Sequence, residues 1–135
     1  MVCPLIAVVD NDDAFLDLMR DALTDEGYRV VVECAATGVI AMLARARPDL
    51  LILDLRMEEA GSGMAMLAAL RQGRETAALP ILICSADRRF LDGHLADIHA
   101  LGAAILAKPF NLDALYTRVA HLVASARAME QPLIS

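Results

Sequence analysis

The chain has 135 residues, the size of one domain able to bury a real core. Its net charge of −6, with basic residues scattered through the chain, argues against direct nucleic-acid binding. Mean hydropathy is high at +0.51, but alanine contributes much of it, and no apolar run reaches the length of a membrane span. The opening "MVCPLIAVVDND" lacks the basic region and cleavage site of a signal peptide, so a cytoplasmic location is expected. Cys3, Cys34 and Cys84 show no metal-ligand spacing. Cys34 and Cys84 fall in apolar runs and read as small buried residues of a reducing compartment.

Taken in chain order, the first apolar run is Leu5 to Val9, followed by a helical stripe of Phe15, Leu18, Met19, Ala22 and Leu23. Asp12 or Asp13 is placed to cap that helix, and Gly27 ends it. A second run, Arg29 to Cys34, precedes a shorter face of Ile40, Leu43 and Ala44 that stops before Pro48. The third run is Leu50 to Leu53, and Met66, Leu67 and Leu70 mark the helix after it. Ile81 to Cys84 forms the fourth run, with Leu91, Leu95 and Ile98 behind it as far as Gly102. Ala104 to Ala107 is the fifth. A last stripe of Leu112, Leu115, Tyr116, Val119, Val123 and Ala126 follows it, with Asn111 placed as cap.

The runs are continuous rather than alternating, as strands covered on both faces must be. Five strands alternating with five helices over short connections predict right-handed crossovers. The expected fold is a doubly wound α/β domain with a five-stranded parallel sheet. Ligands of such folds lie beyond the carboxyl ends of the strands. Those ends carry Asp10, Asn11 and Asp12 after the first run, Asp54 after the third, Ser85 after the fourth and Lys108-Pro109-Phe110 after the fifth. Asp54 closes an aliphatic run and needs partners, because an unpaired buried charge is expensive. Two carboxylates and a carboxamide on one rim suit Mg²⁺, and the metal together with Lys108 would offset their mutual repulsion.

The acidic position in "VVDN", the lone aspartate of "LLILDLRM", the hydroxyl of "ILICSA" and the lysine of "AKPF" stand in the order of a response-regulator receiver domain. The chain resembles that family from Leu5 to about Ala126. The resemblance implies a flavodoxin-like (βα)5 fold with strand order 2-1-3-4-5 and a cis peptide between Lys108 and Pro109. The expected organisation is a receiver domain over 1–126 with a tail over 127–135 and no output domain, either a stand-alone receiver or a piece of a longer regulator or hybrid kinase. Asp54 would be the phosphoacceptor, and Lys108 and Ser85 would bind the phosphoryl oxygens. Asp10, Asn11, Asp54 and the backbone carbonyl of Arg56 would hold Mg²⁺. Such a domain is a switch rather than an enzyme, catalysing only its own phosphorylation and dephosphorylation. Its implied partners are a sensor histidine kinase or histidine phosphotransfer protein and a downstream protein target. A homodimer through the fourth-helix to fifth-helix face is a further expectation, and no membrane contact is expected. Arg56 and Asp87 stand where they would influence phosphoryl lifetime.

Three features depart from the family pattern. Asn11 replaces the second acid, predicting weaker Mg²⁺ binding. The loop "MEEAGSG" lacks the usual proline, is one residue longer before Gly63 and carries Glu58 and Glu59, either of which could restore charge. Ile105 replaces the usual aromatic, leaving Phe90 or Tyr116 as substitutes. These departures keep open an alternative, a degenerate receiver that acts as a phosphorylation-independent interaction module. A nucleotide or flavin enzyme is disfavoured because no glycine-rich phosphate fingerprint is present.

Overall fold

The computed structural model describes residues 3–55 and 62–130. Its elements run β1 (Leu5–Val9), α1 (Asp13–Asp25), β2 (Arg29–Glu33), α2 (Val39–Ala46) and β3 (Leu50–Leu53). They continue as α3 (Ser62–Gln72), β4 (Ile81–Ser85), α4 (Arg88–Ala100), β5 (Ala104–Ala107) and α5 (Leu112–Glu130). All strand pairs are parallel and the order is β2-β1-β3-β4-β5. The doubly wound topology expected from the sequence is the one observed.

The period of two along each strand divides the core between the two faces. Ala7, Val9, Leu51, Leu53, Ile81 and Ile83 pack against α2, α3 and α4 through residues such as Met42, Leu67 and Ile98. Ile6, Val8, Leu50, Ile52, Leu82 and Cys84 face α1 and α5 through Met19, Leu23, Leu115 and Val119. The inner strand β3 and strand β4 are buried throughout, whereas the edge strands β2 and β5 are only partly covered. Among the described residues, no helix is long and apolar enough to cross a membrane.

Local chemistry fixes the helix ends. Asp12 Oδ1 accepts the amides of Ala14 and Phe15 at 3.0 and 3.3 Å, and Asn111 Oδ1 accepts that of Ala114 at 2.7 Å. Both are N-caps, as the sequence predicted. Gly27, at φ 93°, turns the chain out of α1 through a conformation that other residues rarely adopt. Arg47 makes the corresponding turn after α2 at φ 49°, immediately before Pro48.

Several packing expectations need correction. Leu18, Ile40, Leu95 and Leu112 are exposed, while Leu16 is buried in their stead on α1. Met19, Ala22 and Leu23 on the same helix are buried as expected; single positions differ because an alanine- and leucine-rich helix offers several overlapping apolar faces. Cys34 is exposed as well, since β2 ends at Glu33 on the sheet edge; only Cys84 is buried as expected.

One tertiary tie had no sequence expectation. The Arg71 guanidinium donates to the carbonyls of Leu101 (2.6 Å), Leu79 (2.7 Å) and Thr76 (3.0 Å), with longer bonds to Ala77 and Gly102. It joins the end of α3 to the α3–β4 and α4–β5 connections. Partial burial lowers its pKa, and the charge is answered by carbonyl dipoles rather than by a carboxylate.

Candidate functional site

Strand register assembles the site. Val9 pairs with Leu53, so Asp10 and Asp54 leave the sheet side by side, and the Asp54 amide donates to the Val9 carbonyl at 3.1 Å. Ser85 pairs with Ala107, and the next residue, Lys108, donates its amide to the Ser85 carbonyl at 2.8 Å. The Lys108–Pro109 peptide is cis, as the resemblance implied. Four residues far apart in sequence thereby share one rim.

The Lys108 ammonium lies 2.6 Å from Asp10 Oδ2 and 3.5 Å from Asp54 Oδ2. Asp10 and Ser85 are the buried polar residues among those described, so the polar burial of this domain is concentrated at this rim. Each buried side-chain polar atom among the described residues has a hydrogen-bond partner. Asp10 Oδ1 accepts the Asp12 amide at 2.9 Å, which leaves Oδ2 for the ammonium. The Phe15 ring covers another flank, with its centroid 3.8 Å from Lys108 Nζ, and Phe110 meets it edge to face at 6.2 Å. The sequence places Phe15 only in the α1 core stripe. Its position three residues after the capping Asp12 was the signal that could have placed it on the rim.

Ser85 Oγ accepts the Asp87 amide at 3.2 Å, and Asp87 in turn caps α4 by accepting the Phe90 amide at 2.9 Å. The rim hydroxyl is thus linked through Asp87 to the helix that follows it. Ile105 packs in the core cluster on the α4 side together with Phe90, whereas Tyr116 lies in the cluster on the opposite face. Of the two aromatic substitutes, Phe90 is therefore the one on the side of Ile105. Its ring stacks on His94 at 4.2 Å.

Cys84 lies buried beneath the rim. Burial pushes its thiol pKa up to about 12; Lys108 opposes the shift, and Asp54 and Asp10 add to it. A thiol so disfavoured as thiolate is not a nucleophile at neutral pH.

Arg56, Glu58 and Glu59 lie outside the described residues. The segment's two ends are nevertheless tied together. A Cβ on Gly63 would collide with the Leu55 carbonyl oxygen, so the first turn of α3 reaches the residue after Asp54 only because this position has no side chain.

The donors suit a hard cation. Asp10 and Asp54 share one ammonium, so both face a common positive centre, and Asn11 follows Asp10 directly in the chain. Among the described residues no group of three histidine, cysteine or acidic side chains could hold a metal. Oxygen-only donors, few in number, fit Mg²⁺ better than Zn²⁺.

Comparison with known proteins agrees with this geometry. The model of the response regulator receiver domain matches residues 6–120. The chain belongs to that family, the receiver domains of two-component signalling. It is 34% identical over 118 residues to the response regulator MprA of Mycobacterium leprae, covering 87% of this chain and 50% of that protein. Against the transcriptional regulatory protein KdpE of Mycobacterium tuberculosis it is 32% identical over 136 residues, covering 96% and 57%. The chain thus spans about half the length of these relatives. The crystal structure of a CheY-like response regulator receiver domain protein from Methanospirillum hungatei superposes with a TM-score of 0.80 over 95% of this chain and 99% of that one. At 21% identity that likeness bears on the fold alone. Domains of this family are signalling modules rather than metabolic enzymes, generally depend on Mg²⁺ for phosphoryl transfer, and interact with kinases and downstream effectors.

Proposed function

We propose that Asp54 is the phosphoacceptor of a phosphorelay and that residues 1–126 form the receiver. The carrying observation is the ammonium of Lys108 held between Asp10 and Asp54 at the carboxyl end of a parallel sheet. A carboxylate oxygen of Asp54 attacks a phosphorus borne on a histidine of a sensor kinase or phosphotransfer protein. The new O–P bond forms as the P–N bond breaks, and the departing imidazole takes up a proton. Such a transfer is governed by positioning and charge stabilisation, and this rim supplies both. Lys108 presents fixed positive charge to the incoming phosphoryl oxygens. Asp10, Asn11, Asp54 and the Arg56 carbonyl would hold Mg²⁺, which when bound neutralises charge on those oxygens.

The product carries a dianionic group with strong acceptor oxygens. Ser85 is drawn toward it, relinquishing the Asp87 amide and so loosening the cap of α4. The surface of α4, β5 and α5 changes, and a downstream protein reads the change. Residues 127–135 follow the receiver in this reading, the first four of them continuing α5. A constitutive interaction module is the second reading, favoured by Asn11 at the acidic position and aliphatic Ile105 in β5.

Intact mass spectrometry after incubation with acetyl phosphate separates the two. A single Mg²⁺-dependent phosphoryl adduct, absent from Asp54→Asn, is expected. No adduct on a protein that is folded by circular dichroism would overturn the phosphoacceptor reading in favour of the constitutive module.

A further inference from the structure

The geometry points to Phe15 as a positioning residue for Lys108, an inference that rests on the phosphoacceptor reading and extends it to the first turn of α1. A lysine stem has four rotatable carbons and a strongly hydrated head, so two carboxylates alone leave its ammonium several placements. Here a third contact restricts it: the ring face of Phe15, 3.8 Å from Nζ, attracts the cation through its quadrupole.

The ring is itself fixed from two sides. Its backbone amide is held by Asp12 Oδ1 at 3.3 Å, and its ring packs nearly at right angles to that of Phe110, 82° between the planes. The Asp12 amide returns to Asp10 Oδ1 at 2.9 Å, and Asp10 Oδ2 returns to Lys108 at 2.6 Å. The contacts close a circuit from Asp10 through Asp12 and Phe15 to Lys108 and back. In that circuit the capping aspartate also aims an aromatic face at the ammonium. Phe15 shields one flank of the ammonium from water, so its charge stays oriented beside Asp54 and needs little reorganisation when phosphoryl charge arrives.

The test replaces Phe15 with mono-, di- and trifluorinated phenylalanine, which keep the ring's shape while stripping its negative face, and with Phe15→Leu. The rate of adduct formation from acetyl phosphate at fixed Mg²⁺ should fall stepwise with fluorination, by roughly two- to tenfold overall. The melting temperature should stay constant, because packing is preserved. Proton resonances of the Lys108 ε-methylene should be displaced upfield by the ring in the parent and lose that displacement in Phe15→Leu. An adduct in the parent with a flat fluorination series overturns the role of Phe15 alone. Equal ε-methylene shifts in the parent and Phe15→Leu overturn the contact itself. No adduct in the parent overturns the inference together with the phosphoacceptor reading.

Discussion

Lys108→Met removes the cation that two carboxylates share, and the cost can be bounded from the structure. At an effective dielectric near 20, separations of 2.6 and 3.5 Å correspond to gross attractions of about 6 and about 5 kcal/mol. Desolvation of the ammonium offsets much of this, and breaking one partner out of a buried pair typically costs about 3–5 kcal/mol net. The side chains of Asp10, Asp54 and Lys108 are 2%, 12% and 17% exposed, so solvent screening reduces that figure only slightly. For a domain of this size, thermal unfolding should show a drop of about 10–18 °C at pH 7. Mg²⁺ at a hundred times its dissociation constant should return about 2.7 kcal/mol. A loss under about 1 kcal/mol at pH 7 would refute the claim that Lys108 neutralises the pair.

Arg71→Met should cost about 3 kcal/mol, about 1 kcal/mol for each of its three shorter, part-buried bonds; chemical denaturation with an unchanged m-value measures it. Gly63→Ala sets a methyl against the Leu55 backbone and should destabilise by about 1–3 kcal/mol while slowing phosphorylation, since the segment after Asp54 must shift; a variant as stable as the parent would contradict the close approach. In a thiol assay at pH 8, Cys3 and Cys34 should react in the native state and Cys84 only after unfolding. The Cys84 thiol titrates at about 12 instead of 9.0, so the unfolded chain ionises first and folding stability should decline as pH rises above 9.0. Asn11→Asp adds a negative charge next to Asp10 and should tighten Mg²⁺ in a calorimetric titration; unchanged affinity would count against a metal site at this position.

Much of the rim was legible because polar residues that close apolar runs have few places to go. Asp10, Asp54, Ser85 and Lys108 each stood at the end of a run, and a parallel sheet sends all such ends to one side. The roles of Phe15 and Arg71 were not legible. Phe15 satisfies a helical stripe whether or not its face meets a cation. Arg71 bonds to backbone carbonyls, acceptors that every residue carries and that leave no mark in sequence.

The sequence by itself determined the element order, the caps of α1 and α5 to within one residue and the candidate rim, because hydrophobic period, Asp and Asn caps and strand-terminal charges are local properties. Only the tertiary structure decided which face of each helix is buried: Leu16 rather than Leu18 on α1. It also decided that Cys34 falls beyond an edge strand, and that one ammonium touches two carboxylates and a ring. Those outcomes depend on strand register and on the rotation of each helix against the sheet, which are set by packing many side chains at once rather than by any one segment.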